Sequence, residues 1–160
     1  VWERRKGLTY FLDLAETLPE ECRIVLAGLS KKQKRRLPSS VVGIERTSSV
    51  KELAEYYSMA DVFVNTTLED NFPTTNLEAL ACGTPVITFD TGGSPESLDE
   101  SCGRGVPKGD IRARRQAILE ERTHPKESKA CRKRAEKYDK YGRFQEYAEL
   151  YHSLTARENT

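Results

Sequence analysis

Two carboxylates, Asp70 and Glu78, lie eight residues apart on either side of the polar run NFPTTN. Carboxylates accept hydrogen bonds from sugar hydroxyl groups, and a helix that begins just after Pro73 would direct free backbone N–H groups and a positive dipole end at a phosphate. The same residues have a purely structural interpretation, because Thr75 and Glu78 have the spacing of a capping box. The stretch therefore marks either a capped helix or a helix whose start holds a ligand.

The elements around this stretch follow a regular alternation. Apolar runs predict strands at 22–29, 41–45, 61–66 and 84–90, and amphipathic patterns predict helices at 7–18, 50–60 and 74–82. Strands that are apolar throughout and alternate with helices are typical of a parallel sheet covered on both faces. We therefore expect an α/β fold of the Rossmann-like type.

Ligands of such sheets bind where the carboxyl ends of the strands lead into helices. Those ends carry the loops 28–30, 66–73 and 90–96 and the residues around Arg46 and Thr47. The site is expected on that edge. The glycines of TGGSPE fit a plain turn and a close approach to a ligand equally well.

Composition bounds the class of protein. The 160 residues suit one domain, and 26 basic against 25 acidic residues leave a formal charge of +1. This balance argues against a general nucleic-acid or membrane binder, and the basic run SKKQKRR, without interleaved aromatic residues, is interpreted as a solvated face. No apolar run approaches the ~20 residues of a membrane span. The four cysteines form no CxxC pair or metal-ligand cluster, which favours free thiols in a cytoplasmic protein.

The two ends of the chain differ from its middle. Residues 110–160 are helical in pattern and rich in charge, and they carry an aromatic stripe at Tyr138, Tyr141, Phe144, Tyr147 and Tyr151. We interpret them as a charged helical tail that packs on a neighbouring surface. At the other end VWERRKG leads straight into a helix, where a parallel α/β unit normally has a strand. We expect the chain to begin inside a larger protein.

Several motifs together resemble the retaining, group 1 (family 4) glycosyltransferases. They are EDNFPTTNLEALACGTPVI followed by FDTGGSPE, the ERRKG start, the LAGLS strand end, and ELAEYYSMADVFVNTT. The resemblance runs from about residue 2 to about residue 110 and, less distinctly, through RAEKYDKYGRFQEYAELY. It implies the C-terminal, nucleotide-sugar-binding half of a two-domain GT-B enzyme. The N-terminal domain, which would hold the acceptor, lies outside this sequence.

The resemblance also implies roles for individual residues. Glu78 would bind the ribose hydroxyls of a nucleotide-diphospho-sugar, Asp70 would contact the donor sugar, and Lys6 would neutralise the departing diphosphate. Further contacts to the donor are implied at Gly28, Arg46, Thr47, Asn71, Phe72, Pro73 and Thr74. No metal or other cofactor is expected, because protein cations would serve the leaving group. The implied partners are the nucleotide-diphospho-sugar and an acceptor sugar or lipid-linked glycan. The implied location is cytoplasmic, peripheral to the inner membrane face at most.

The sequence departs from the family pattern at two places. Asp70 stands where the family usually has Glu, with Glu69 beside it, so either acid could face the sugar. The family's phosphate-binding Arg lies several residues before the Lys, where this chain has Val1 and Trp2, and Arg4 or Arg5 could substitute for it. Two alternatives to a transferase stay open, a non-catalytic nucleotide- or sugar-binding module and an interaction module that uses the charged C-terminal helices.

Overall fold

A computed structural model describes the backbone of residues 2–157 and the side chains of residues 2–155, so Val1 lies outside it. The strands are β1 (Ile24–Ala27), β2 (Val41–Ile44), β3 (Phe63–Asn65), β4 (Val86–Phe89) and β5 (Gly103–Val106). The α-helices are α1 (Leu8–Thr17), α2 (Lys31–Lys34), α3 (Val50–Met59), α4 (Thr74–Ala81), α5 (Ile111–Thr123), α6 (Ser128–Glu136) and α7 (Lys140–Arg157). Two 3₁₀ helices lie at Arg4–Lys6 and Pro95–Ser97.

The strands form two parallel sheets, one with the order β1-β2 and one with the order β3-β4-β5. The parallel direction and the flanking helices confirm the predicted α/β class. The prediction of one continuous sheet is not met, because β1 and β3 are not paired with each other in the part of the chain that the structure describes. Among residues 2–157, each of these two strands therefore has a partner strand on one edge only.

One apolar core nevertheless runs under both sheets. It joins Phe11 and Leu14 of α1 to Leu26 of β1, Phe89 of β4 and Ile118 of α5. Strands β1 and β4 therefore bury side chains in the same hydrophobic core, although they belong to different sheets.

The strands differ in how far their side chains are buried. All four residues of β4 are buried, whereas Val25 of β1 is 40% exposed and Val42 of β2 is 50% exposed. Burial on both faces, which the apolar strands predicted, therefore holds for β4 and is incomplete for the β1-β2 sheet.

The fifth strand was not predicted because its sequence, GRGV, lacks an apolar run. Its two glycines have a steric role. A Cβ at Gly103 would overlap the Val86 carbonyl oxygen, and one at Gly105 would overlap the Asp90 carboxylate. Glycine here allows β5 to lie against the end of β4.

The C-terminal third divides into a packed and an exposed part. Helix α5, at the start of the predicted tail 110–160, is a core element that buries Arg114, Ala117 and Ile118. Tyr138 packs on Phe72 at 5.4 Å between ring centroids. The rest of the predicted aromatic stripe is 64–71% exposed on α7, namely Tyr141, Phe144, Tyr147 and Tyr151. Among the described residues, no helix has the length and apolar character needed to cross a membrane.

Candidate functional site

A cavity of about 780 Å³ reaches the carboxyl ends of β1, β2 and β3. Its wall contains five of the residues that the sequence marked, namely Lys6, Gly28, Arg46, Thr47 and Glu78. They come from four separate loops and helices, which meet only because the strand ends lie along one edge. The structure thus places this group where ligands of parallel α/β sheets bind.

Lys6 is held by contacts of the turn that carries it. Gly7 follows with a φ of 70°, in the left-handed region, and a Cβ there would overlap the Thr66 carbonyl oxygen. The Thr66 hydroxyl donates to the Lys6 carbonyl oxygen at 2.9 Å, and the Leu68 N–H donates to the Arg5 carbonyl oxygen at 2.7 Å. The end of β3 therefore fixes where the Lys6 side chain starts.

Lys6 forms an ion pair with Asp70. Its Nζ lies 3.1 Å from Asp70 Oδ2, and the two side chains are 35% and 18% exposed. The other carboxylate oxygen, Oδ1, accepts from the Phe72 N–H at 3.2 Å. Glu69 is exposed to solvent. Of the two neighbouring acids, Asp70 is therefore the one that turns toward the cavity's lysine.

Glu78 is oriented by a tyrosine that the sequence analysis did not single out. The Tyr57 hydroxyl donates to Glu78 Oε2 at 3.1 Å. Burial raises the pKa of Tyr57 above its ordinary value, and the Glu78 carboxylate raises it further, so the hydroxyl keeps its proton. The Tyr57 ring packs edge-on against Phe63 at 5.3 Å, and its carbonyl oxygen accepts from Thr84 at 2.6 Å.

The capping-box interpretation of Thr75 and Glu78 is wrong. Helix α4 begins at Thr74 with Pro73 as its N-cap, and no side chain caps it. Thr75 already lies inside the helix, two positions after the N-cap, and the Glu78 carboxylate accepts a hydrogen bond from Tyr57. Within the described part of the chain, the start of α4 therefore lacks a side-chain cap for its first N–H groups.

Six of the predicted site residues lie outside the cavity wall: Arg5, Asp70, Asn71, Phe72, Pro73 and Thr74. Arg5 is paired with Glu3 at 3.3 Å on the surface. The Phe72 ring is turned toward Tyr138. Lys6 therefore lines the cavity, whereas Arg5, the candidate substitute for the family's phosphate-binding arginine, does not.

The glycine pair of the 91–96 loop serves chain packing. A Cβ at Gly92 would overlap the Asp70 carbonyl oxygen, and one at Gly93 would overlap the Asn71 carbonyl oxygen. Gly92 also has a φ of 51°. The close approach that these glycines permit is thus between two loops of the protein, and it supports the loop that carries Asp70.

A buried asparagine ties the site loops to one another, and sequence reasoning missed it. Asn76 is fully buried, accepts from Asn65 Nδ2 at 2.8 Å and donates to the Ser97 hydroxyl at 3.1 Å. Asn65 Oδ1 in turn accepts from the Thr67 N–H at 3.0 Å. A polar residue inside an apolar helix pattern was the signal that could have revealed this network.

The arrangement combines three kinds of group. Lys6 and Arg46 supply positive charge, α4 supplies an uncapped positive dipole end near Asp70, and Glu78 supplies an acceptor whose geometry is fixed. Such a set can hold an anion and a hydroxyl-bearing group side by side. No group of three His, Cys, Asp or Glu side chains suited to a metal ion occurs in the described part of the chain.

Solved structures share this fold. Sucrose-phosphate synthase from Thermosynechococcus elongatus matches with a TM-score of 0.82 at 28% identity, over 97% of this chain and 44% of that one. HepE from Anabaena, solved with UDP, matches with a TM-score of 0.77 at 20% identity, over 94% of this chain and 46% of that one. This half-domain similarity identifies the fold as one half of a GT-B fold.

Curated relatives match over shorter segments. Alpha-maltose-1-phosphate synthase from Mycobacterium tuberculosis is 34% identical over 77 residues, which are 48% of this chain and 19% of that protein. D-inositol 3-phosphate glycosyltransferase from Streptomyces bingchenggensis is 37% identical over 60 residues, 38% of this chain and 13% of that protein. The matched segments thus cover about a fifth or less of these relatives. The model of the glycosyl transferases group 1 family matches residues 1–121, and the chain belongs to that family.

Proposed function

We propose that this domain binds the nucleotide-diphospho-sugar donor of a retaining glycosyltransferase. The observation that carries the proposal is that Lys6, Arg46 and Glu78 line one cavity, with Asp70 paired to Lys6 at 3.1 Å. A cation, a sugar-hydroxyl acceptor and a ribose-hydroxyl acceptor are the groups that such a donor needs along its length.

The proposed role of Lys6 follows from the charges that develop during sugar transfer. Cleavage of the bond between the anomeric carbon and the diphosphate leaves negative charge on the leaving group and positive charge on the sugar. Lys6 Nζ and the uncapped start of α4 would stabilise the leaving diphosphate. Both are fixed before the donor arrives, because Thr66 and Leu68 hold the Lys6 turn and the Asn76 network holds α4.

The ion pair between Lys6 and Asp70 suggests how the donor is received. In the free domain the two charges satisfy each other at 3.1 Å. An incoming diphosphate would compete with Asp70 for the Lys6 ammonium group, and the released Asp70 oxygen could then accept from a hydroxyl of the donor sugar. Each charge keeps a partner throughout, so the exchange avoids an unpaired, half-buried ion.

At the other end of the donor, Glu78 would accept from the ribose. Tyr57 occupies Oε2 and leaves Oε1 for a ribose hydroxyl. The loop with Arg46 and Thr47, at the end of β2, would lie near the base. Names of relatives support a sugar donor, since HepE was solved with UDP and with UDP-glucose and the curated relatives include a glycosyltransferase. The acceptor, a sugar or a lipid-linked glycan, would be held by another part of the full-length protein.

Calorimetric titration of the full-length protein with UDP, GDP and ADP tests this proposal. We expect saturable binding of one nucleoside diphosphate, and weaker binding in Glu78→Gln, whose amide conserves size and removes the charge. The matched control is Glu55→Gln on the outer face of α3, a residue paired only with Lys51 among the ion pairs of the described residues and absent from the cavity wall. Equal affinities in all three proteins, or no binding at millimolar concentration, would refute the proposal.

Sugar transfer itself needs a separate assay. If the domain serves a transferase, the full-length protein given a matching nucleotide-sugar and an acceptor sugar should join the donor's anomeric carbon to an acceptor hydroxyl oxygen and release the nucleoside diphosphate. Asp70→Asn should slow that release without abolishing nucleotide binding. A protein that binds the nucleotide-sugar and leaves it intact would instead be a non-catalytic binding module.

A further inference from the structure

The direction of the Asp70 carboxylate depends on the backbone two residues further on. Asp70 Oδ1 accepts from the Phe72 N–H at 3.2 Å, which closes a tight turn over residues 70–72. The carbonyl oxygens of this turn pack on the glycine pair of the 91–96 loop, as described above. Any group that holds Phe72 therefore also holds the carboxylate that pairs with the cavity's lysine.

Tyr138, just after helix α6, holds Phe72 from the other side. The two rings lie 5.4 Å apart between centroids, with their planes tilted by 44°. The Tyr138 hydroxyl donates to the Glu96 carbonyl oxygen at 2.7 Å, and Glu96 belongs to the 91–96 loop. One side chain thus contacts both loops, the first through its ring and the second through its hydroxyl.

Two arginines fix the position of the Tyr138 ring. Arg134 Cζ lies 5.4 Å and Arg143 Cζ 5.6 Å from the ring centroid, within the range of cation–π attraction. Arg134 is 16% exposed, and it donates to the Tyr138 hydroxyl at 3.0 Å, to the Glu96 carbonyl oxygen at 2.6 Å and to the Ser97 carbonyl oxygen at 3.0 Å. The tyrosine is therefore part of a fixed polar cluster and not a loosely packed surface ring.

Helix α6, which leads to Tyr138, is in turn anchored on α4. Cys131 of α6 and Leu80 of α4 are fully buried in one apolar cluster. The Arg132 guanidinium donates to the Cys82 carbonyl oxygen, at the end of α4, at 3.1 Å. Because α4 begins directly after the turn at 70–72, Tyr138 and that turn are both fixed to the same helix.

We propose that Tyr138 is a positioning residue for the donor sugar. The inference rests on the proposed function, in which Asp70 accepts from a hydroxyl of that sugar. Tyr138 contacts no donor atom in this scheme: its ring holds Phe72, and the Phe72 N–H holds the Asp70 carboxylate. Loss of the ring should therefore lower the affinity for the nucleotide-sugar more than the affinity for the nucleoside diphosphate, which lacks the sugar. A purely structural role would lower both affinities alike.

Calorimetric titrations of the full-length protein with UDP-glucose, GDP-glucose and ADP-glucose, each compared with its own nucleoside diphosphate, test this inference. The quantity compared is the ratio of the affinity for the nucleotide-sugar to the affinity for the nucleoside diphosphate. Tyr138→Leu keeps an apolar side chain and removes the ring, and it should lower this ratio about 3- to 10-fold, because a misaligned hydrogen bond loses part of its contribution.

Tyr138→Phe is the matched control, because it loses the same hydroxyl and keeps the ring. It should hold the ratio within about twofold of the wild type, since the contact with Phe72 remains. Tyr141→Leu, at a position that is 71% exposed on α7, is the surface control and should leave the ratio unchanged. Equal decreases in Tyr138→Leu and Tyr138→Phe, or no decrease in either, would overturn the inference.

An Asp70→Ala background separates positioning from a general structural effect. With no carboxylate left to misplace, Tyr138→Leu should change the same ratio by less than about twofold in this background, because two residues that act through one contact are not additive. A decrease as large as that in the wild-type background would show that Tyr138 acts by another route, and the inference would be wrong.

Hydrogen exchange of the Phe72 amide, followed by NMR, tests the contact without any nucleotide. This N–H is bonded to Asp70 Oδ1, and it should exchange at least about fivefold faster in Tyr138→Leu than in Tyr138→Phe. Equal exchange rates in the two variants would overturn the inference even where the donor binds. Absence of nucleotide binding in the wild type would instead refute the proposed function, and the exchange rates would still show whether Tyr138 holds the turn.

Discussion

Replacement of Lys6 by Met removes the one cavity-wall charge that the proposed function assigns to the diphosphate, while keeping the aliphatic stem. A hydrogen bond between charged groups contributes about 1.5–3 kcal/mol. Lys6 is 35% exposed, and solvent screening therefore favours the lower part of that range, about 1.5–2 kcal/mol. At 1.4 kcal/mol per tenfold change, the dissociation constant for the nucleoside diphosphate should rise about 10- to 30-fold.

The assay compares each nucleoside diphosphate with its own nucleoside in calorimetric titrations of the full-length protein. Lys6→Met should lower the affinity for the nucleoside diphosphate and leave the affinity for the nucleoside unchanged, because the nucleoside has no phosphate that Lys6 could contact. Arg4→Met is the matched control, since Arg4 lies on the same 3₁₀ helix, is exposed and is absent from the cavity wall. A Lys6→Met protein that binds the diphosphate as the wild type does, or that loses nucleoside and diphosphate affinity equally, refutes the role given to Lys6.

The Asp70 partner provides an internal check on stability. Lys6→Met leaves the Asp70 carboxylate, 18% exposed, without its ion pair, and a partly buried unpaired charge lowers the free energy of unfolding. The double variant Lys6→Met/Asp70→Asn removes the stranded charge, so its melting temperature should recover toward that of the wild type while diphosphate binding stays weak. Recovery of binding in the double variant would mean that the Lys6→Met effect was structural.

Three further predictions concern groups that hold the site or the core. Tyr57→Phe removes the hydrogen-bond donor to Glu78 and should weaken the binding of nucleoside and of nucleoside diphosphate alike. One hydrogen bond contributes about 0.5–1.5 kcal/mol, so both affinities should fall by about 2- to 12-fold in titration. An effect confined to the diphosphate would contradict the role of Glu78 in binding the ribose. Gly92→Ala should lower the free energy of unfolding by at least about 2 kcal/mol in denaturant melts, because Gly92 has a φ of 51° and an added Cβ would overlap the 70–71 loop. Gly142→Ala, in open space on α7, should raise the free energy of unfolding by up to about 1 kcal/mol. Similar changes in both variants would contradict the packing argument. Burial raises the pKa of the Cys131 thiol from 9.0 to about 11, so the folded state holds its proton more tightly and stability should fall as pH rises from about 9 to 11; Cys131→Ala should flatten that slope, and an unchanged slope would exclude the thiol as its source.

The elements that could be predicted from the sequence are those with a clear pattern of apolar side chains. Apolar runs marked β1 to β4 within one or two residues of each end, because buried strands need continuous apolar side chains. Strand β5 was not predicted, because Gly103 leaves room for the Val86 backbone and Gly105 for the Asp90 carboxylate, and glycines give no apolar side-chain pattern. The split of the sheet was also invisible, because pairing between strands is a property of backbone edges that periodicity does not encode.

For the candidate site, the sequence indicated which residues line the cavity better than which residues contact one another. Gly28 and Arg46, which follow β1 and β2, line the cavity as expected of residues at strand ends, because topology alone brings those ends together. Lys6 also lines the cavity, but the family resemblance and not the topology pointed to it. The partner of Glu78 was misjudged, since the capping-box spacing fits a local contact and the actual partner, Tyr57, is 21 residues away. Long-range contacts of this kind depend on how α3 and α4 pack, and a single sequence does not specify that.

The most direct test of the central claim is the distance from Lys6 Nζ to the nearest phosphate oxygen in a crystal structure of the full-length protein with its tightest-binding nucleoside diphosphate. We predict a hydrogen-bond distance of about 2.7–3.2 Å, with a ribose hydroxyl bound to the Glu78 carboxylate and the Lys6–Asp70 ion pair opened. A diphosphate bound away from Lys6, with the ion pair to Asp70 still intact, would contradict it.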